Sequence, residues 1–577
     1  MAASDELVRL ASLSRGFRGR YLRHDDVTAQ LRAWEAAFPS ICDVRSIGAS
    51  VEGREMLLLT IGRDRERARP TAWIDGNIHA QELCGSSVAL AIAEDLLRLH
   101  LDPEGTVAGL PPHVARTLRE VRFFVLPRMC PDGAESVLTT GRFVRSNPRD
   151  RRPERRVRWV TGDVDGDGLA MLMRREDPAG EFVEATGARG MLVPRELEDV
   201  GPFYKVFPEG TIEGFDGHTI PDGDFLGDND TDLNRNFPYT WMPEPEQVGA
   251  GAYPTSEPET RAVVDFVTAH PEIFTWLNLH TFGGVYIRPL GTKPDKQMNQ
   301  QDLALFRQIA AWGETHGGYP TVSGFEEFLY APDKPLHGDL SDFAYHQRGA
   351  IGFVCELWDL FHQAGIQRKK PFVDHYAHLT REELVAIATW DLAHNQGRAI
   401  RPWRAFAHPQ LGAVEIGGID TRVGLVNPPY EKLGEICERQ SAFFLRVAAL
   451  APRLTVRHHR TTAGDTTLVE LTVTNEGYLP TYVLASAKPL PWNEPVRVEA
   501  SARGATLLDP ADSVREIGHL EGWGRGRFGG DGSPTFQRSR GSVSERVLRY
   551  QLAGKGALSL RVGSCRVGFV EHVIELG

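Results

Sequence analysis

The chain has 577 residues, 25% of them charged and 41% hydrophobic, with a formal net charge of −12. That length buries a large core and accommodates more than one domain, and the composition is that of an ordinary water-soluble globular protein. The acidic balance argues against nucleic acid as the main partner, because phosphate-binding surfaces are usually basic.

The opening stretch, MAASDELVRLASLSRGFRGRYL, interrupts its apolar residues with charges and lacks the hydrophobic core of a signal peptide. No later run reaches the apolar length of a membrane span, about 18 residues or more. The six cysteines, at 42, 84, 130, 355, 437 and 565, are scattered and form no disulfide framework. Together these features predict a reducing, cytoplasmic setting and no membrane partner.

Four continuous apolar runs then read as strands, each closing on a polar residue or turn. TAWIDGNIH ends at His79, VRFFVLPRMCPDG ends in a Pro-Asp-Gly turn, IFTWLNLH ends at His280, and GAIGFVCE ends at Glu356. Such runs suit strands buried on both faces. Helical patterns alternate with them, in SSVALAIAEDLLRLH, EPETRAVVDFV and TREELVAIATWDLAHN. The predicted class is therefore α/β, with a mixed, largely parallel central sheet flanked by helices. Ligand sites in such sheets lie beyond the carboxyl ends of the strands, where His79, His280 and Glu356 could meet although far apart in the chain.

Residues 150 to about 228 interrupt the rhythm. They are rich in Gly, Asp, Pro and Arg and read as an insertion of loops with short strands. Within it Asp163, Asp165 and Asp167 form a D-x-D-x-D-G run of the kind that can hold calcium, although position twelve is Arg174, without the bidentate Glu of an EF-hand. From 452 the texture changes: Val469, Leu471 and Val473 alternate with polar residues before an Asn-Glu-Gly turn, as do Leu558, Leu560 and Val562. Residues 452–577 are predicted to form a separate β-sandwich with an accessory role, leaving 1–451 as the catalytic unit.

The chemistry is concentrated in GNIHAQELCG, residues 76–85. A catalytic zinc commonly takes two histidines and a carboxylate and keeps a position for water. His79 and Glu82, with two residues between them, can chelate from one loop, and His280 is the candidate third ligand. The spacing by itself is common.

The series SIGASVEGREMLLLTIG, DGNIHAQE, LPRMCPDGAE, DLNRNF, SEPETRAVVDF, LNLH and GFVCELWD resembles, in that order and over roughly residues 20–400, the zinc metallocarboxypeptidase family of carboxypeptidase A. The resemblance implies one zinc held by His79, Glu82 and His280, with Glu356 as general base and acid. It further implies Asn234 and Arg235 as the clamp for a substrate's terminal carboxylate, and Arg145 as the arginine facing the scissile carbonyl. Tyr330 occupies the place of the family's capping tyrosine, some residues farther from SDFAY than usual. Ser341 falls where the base of the specificity pocket is expected and offers no acid to select Lys or Arg. Cys130 replaces the first asparagine of the usual Asn-Pro-Asp-Gly.

The function implied is hydrolysis of the last peptide bond of a peptide with a free C-terminal carboxylate. A peptidase or amidase acting on cell-wall (murein) peptides is the alternative within the same chemistry. A non-catalytic zinc-binding peptide receptor is disfavoured, because both Glu356 and Arg145 are present.

Overall fold

The structure is a computed structural model that describes residues 2–150, 157–188, 190–223, 231–331, 333–524 and 539–576. Among these residues the central sheet has eight strands: β1 (Cys42–Ala49), β2 (Glu55–Ile61), β3 (Thr71–Gly76), β4 (Arg122–Leu126), β5 (Ile273–Thr281), β6 (Val285–Arg288), β7 (Thr321–Ser323) and β8 (Ile351–Leu357). Their spatial order is β1-β2-β4-β3-β5-β8-β6-β7. The β4/β3, β3/β5 and β5/β8 pairs at the centre are parallel, and the β1/β2, β2/β4 and β8/β6 pairs are antiparallel. This is the mixed, largely parallel sheet expected. Every residue of β3, β4 and β5 is buried, which is why these strands are continuously apolar and do not alternate.

The helix Cys84–Leu101 packs on β3 and β5 and is itself covered by the helix Tyr430–Ala448. Its close approach depends on two glycines. A Cβ on Gly85 would lie 2.8 Å from the carbonyl oxygen of Leu279 and 3.2 Å from the backbone nitrogen of Asn77, and a Cβ on Gly76 would lie 2.6 Å from the Gly85 carbonyl. Only hydrogen fits at either point, so the helix begins directly over the ends of two central strands.

The insertion is more ordered than its composition suggests. Its described strands Leu172–Glu176, Tyr204–Pro208, Phe182–Glu184 and Leu192–Pro194 join a hairpin, Ile400–His408 with Gly412–Ile419, in a second sheet of six strands. The short strands expected there are present, and they are gathered into a sheet. Strands of three to five residues cannot stand alone; the longer hairpin, about 200 residues on, supplies the template. Trp159, Met173, Phe207, Val414 and Ile416 pack between them. Residues 151–156 and 224–230 of the insertion lie outside the described set.

Beyond Leu454 the expected sandwich takes the form of one antiparallel sheet. Its longest strand, Glu545–Ser564, pairs with Thr466–Asn475 along its first half and with Gly568–Glu575 along its second. The change falls at Gly554 and Gly556, both at positive φ, opposite a register shift in the strand Val496–Leu507. Val469, Leu471, Leu558, Leu560 and Val562 all enter its core. The sheet is fastened to the central one by Arg566, whose guanidinium donates to the carbonyls of Pro271, Ile273, Arg348 and Gly349 at the starts of β5 and β8. Among the described residues no helix is long and apolar enough to cross a membrane.

Replacing a helical glycine by alanine ordinarily stabilises, by about 0.5–1 kcal/mol. Here Gly85→Ala is expected to destabilise instead, by about 1–3 kcal/mol of overpacking. A lower urea midpoint at unchanged slope is the expected reading, and a raised midpoint would show the helix–strand contact to be looser than described.

Candidate active site

The loop after β3 is shaped by one side chain. Asn77 takes a positive φ of 63°, and its amide nitrogen donates to the carbonyls of His79 (2.7 Å), Ala80 (3.1 Å) and Glu82 (3.3 Å). This folds the loop so that His79 and Glu82 stand side by side. β5 delivers His280 from the next strand, and the in-register β5/β8 ladder pairs His280 with Glu356. The prediction that three strand ends converge is realised.

Hydrogen bonding decides what this cluster can hold. The Nδ1 atoms of His79 and His280 lie 2.8 and 3.1 Å from the two oxygens of Glu82 and 3.1 Å from each other. Each Nε2 faces an atom that can only accept: Asp232 Oδ1 at 3.2 Å for His79, and the Asn278 carboxamide oxygen for His280. Asn278 is held in that orientation because its amide nitrogen donates to Asp75, a buried carboxylate that also accepts from the indoles of Trp73 and Trp276, each at 2.7 Å. The Glu82 oxygens are acceptors as well, so each imidazole meets an acceptor on both sides; with a cation among the three groups the proton belongs on Nε2 and the Nδ1 lone pairs face inward.

Burial raises the Glu82 carboxyl, but the two imidazoles outweigh it and hold the group well below the ordinary range. Burial lowers His280, more than its neighbour Glu82 restores. An ionised carboxylate and inward lone pairs repel unless a cation lies among them. The donor atoms of His79, Glu82 and His280 all fall within 4.8 Å of one another, and two histidines with one carboxylate suit zinc with a coordination position to spare. Acceptors that orient ligating histidines are part of such sites, so the residues fit the metal.

A cleft of about 820 Å³ opens beside the cluster, walled in part by Glu356, Arg145, Arg235 and Tyr330. Burial, aided by the charge of Glu82, pushes the Glu356 carboxyl well above its usual range, with Arg145 pulling the other way. Arg145 donates from Nε to Asp232 (3.1 Å) and holds Nη1 3.6 Å from Glu82. Arg235 donates to the Asn234 carbonyl at 2.6 Å, makes no ion pair with a carboxylate among the described residues, and acts on Asp232 only through its charge at longer range. Tyr330 is 61% exposed at the rim.

Two expected residues are not brought to the cleft wall. Asn234 is buried with its side-chain oxygen accepting from the Leu340 amide at 2.8 Å, so it positions the backbone next to Arg235. Ser341 is also buried and donates its hydroxyl to Asp339 at 2.6 Å; the turn into the short helix Leu340–Asp342, capped by Asp339, directs it inward. Asp232 and Asn278 were not singled out from sequence. The signal available was chemical: a chelating imidazole needs an acceptor for its second nitrogen, and both lie within the quoted DLNRNF and LNLH segments.

The aspartate loop lends calcium no support. Asp163 accepts from the amides of Gly166 and Gly168, and both Asp165 and Asp167 are turned to Arg404. The acidic grouping there consists of Asp163, Asp165 and the buried Glu209, which itself accepts from the amides of Val164 and Met171.

Comparison with known proteins adds the following. A sequence model described as zinc carboxypeptidase matches residues 27–370, a span that contains every residue named above for the cluster and cleft. A model described as a domain of unknown function matches 453–575. Carboxypeptidase A6 of Mus musculus is 22% identical over 348 residues, covering 59% of this chain and 60% of that protein. Carboxypeptidase B of Astacus astacus is 24% identical over 353 residues, covering 59% and 86%. Among solved structures, the carboxypeptidase A of Helicoverpa armigera aligns with a TM-score of 0.40 at 17% identity, over 68% of this chain and 80% of that one. The chain thus spans less than two thirds of the length of the mouse relative.

The purified protein is expected to carry about one zinc per chain, and His79→Ala, Glu82→Ala or His280→Ala to remove it. Asp232→Ala leaves the three ligands in place but frees the His79 tautomer, and should weaken zinc affinity about 10–100-fold in a chelator-competition titration. Full occupancy in all three ligand variants would place the metal elsewhere.

Proposed function

The chain belongs to the zinc carboxypeptidase family, and on that premise we propose that it removes the C-terminal residue of peptides bearing a free carboxylate. One arrangement carries this reading: Glu356 and Arg145 flank the His79–Glu82–His280 cluster in the same cleft as Arg235, a buried arginine that makes no ion pair among the described residues. A guanidinium left in that state offers a planar fork matched to a carboxylate.

The roles follow from position. His79, Glu82 and His280 hold the zinc, which when bound polarises a carbonyl and acidifies water. Glu356 accepts the proton of the attacking water and returns it to the departing amine nitrogen. Arg145 faces the negative charge that develops on the scissile carbonyl oxygen, while Asp232 keeps it in place. Arg235 receives the terminal carboxylate, with Asn234 setting the local backbone. Tyr330 closes over the substrate from the rim. The C-terminal unit from residue 452 is accessory. A reducing, cytoplasmic setting belongs to the same reading, resting on the scattered spacing of the six cysteines.

Arg235→Ala removes the fork and leaves the metal ligands untouched. Loss of a buried charge-assisted contact costs about 2–5 kcal/mol, so kcat/KM on free-acid peptides should fall by that amount, with C-terminally amidated peptides poor from the outset. Equal rates on acids and amides would exclude an exopeptidase. Murein fragments also end in carboxylates, and their kcat/KM relative to N-blocked dipeptides ranks the cell-wall alternative.

Glu356→Gln preserves size but cannot take a proton, and kcat should drop about 10²–10⁴-fold. Zinc content and peptide binding should persist. Turnover at the wild-type rate would move the base elsewhere.

A further inference from the structure

Among the described residues the second sheet keeps a partly open face that is apolar around Leu172 and Val206, with Arg174 seated beside it against Tyr204 and Trp403. Along Leu172–Glu176 and Tyr204–Pro208 the side chains of Met173 and Phe207 enter the cluster between the insertion and the hairpin. Their neighbours Leu172 and Val206 point the opposite way, as strand alternation requires. An antiparallel sheet with one packed face ordinarily shows water a polar one. Here Leu172 and Val206 are joined by Phe182, Leu192 and Trp403 around a hollow of about 370 Å³, and all five are only half-buried.

The hollow is constructed. The Trp403 indole donates to the Gly190 carbonyl at 3.0 Å, and the ring lies over Gly418, where a Cβ would fall 2.7 Å from its edge. Gly418 also has a φ of +78°, so glycine is needed there twice over. The ring is thereby held as a wall and does not collapse into the space beside it.

Phe143 links this hollow to the chemistry, since it lines both the hollow and the catalytic cleft. It lies two residues from Arg145, about 7 Å along an extended chain. With Arg235 receiving the terminal carboxylate, a substrate can extend past Arg145 only toward its own N-terminus. We infer that the hollow is a subsite for an apolar side chain of the peptide, roughly two or three residues before the scissile bond at the rise of an extended strand; its direction rests on the carboxypeptidase reading. The preferred substrates are then peptides with Leu, Phe or a similar residue there, and the insertion acts as a selector of sequence upstream of the cut.

Binding tests this independently of turnover. N-acetylated peptides that share a C-terminal dipeptide and carry Leu or Ser at each upstream position are titrated calorimetrically into zinc-loaded, full-length Glu356→Gln protein. The Leu peptide should bind about tenfold more tightly than its Ser counterpart at one position, a usual size for an apolar pocket. Val206→Trp, which fills the hollow, should abolish that difference. Leu172→Thr, a milder change on the same wall, serves as second variant should the first not fold. Equal affinities for Leu and Ser peptides at every position overturn the subsite, and so does a preference that survives both substitutions. If the preference is present and lost as expected while wild-type protein cleaves none of the peptides, the subsite stands and the carboxypeptidase reading falls.

Discussion

Asp75 is the interaction on which the placement of the site depends. It is a carboxylate with no solvent exposure, and burial pushes its pKa up to about 6 against the pull of Asn278, Trp73 and Trp276. Two of those donors, Trp276 and Asn278, belong to the neighbouring β5, so the bonds lie across the β3/β5 ladder and lock its register. A slip of one residue would turn every side chain of β5 to the other face, carrying His280 away from His79. The same carboxylate orients Asn278, and through it the tautomer of His280. One buried acid thus fixes where the second histidine is and which nitrogen it offers.

Much of this was legible in the chain because local composition and local geometry agree. Continuously apolar strands, three of them closing on His79, His280 or Glu356, and helical patterns between them all point to the same sheet. Other features were illegible for a physical reason. The second sheet is completed by residues 400–419, and nothing near residue 172 announces a partner so far along the chain. Composition indicated loops with short strands, but strands too short to show alternation gave no sign of the sheet they join. Ser341 was placed in a pocket by its position in a motif, yet the direction of a side chain in a turn is set by capping bonds that a motif does not record. The acceptors for the imidazoles were visible as letters but acquired meaning only once the histidines had neighbours.

The charges of the cleft are arranged in opposed pairs. Asp232 bonds both His79 and Arg145, so a single carboxylate stabilises a ligand's tautomer and anchors a cation that must face substrate. Burial would raise Asp232, but Arg145, His79 and Arg235 hold it well below the ordinary carboxylate range. That pull favours its ionised form.

Arg566 bears on how the two ends of the chain relate. Fully buried, it is pushed down to about 9 by desolvation and by Arg348, with Cys565 and Glu272 pulling the other way, and four backbone carbonyls accept from it. An apolar contact between the C-terminal sheet and the rest would tolerate sliding, whereas a cation seated among four carbonyls permits one orientation. Those carbonyls sit at the starts of the strands whose far ends bear His280 and Glu356. Modularity along the sequence is therefore not interchangeability in space: a chimera that grafts another β-unit after residue 452 inherits an empty socket unless it brings its own guanidinium to the same spot.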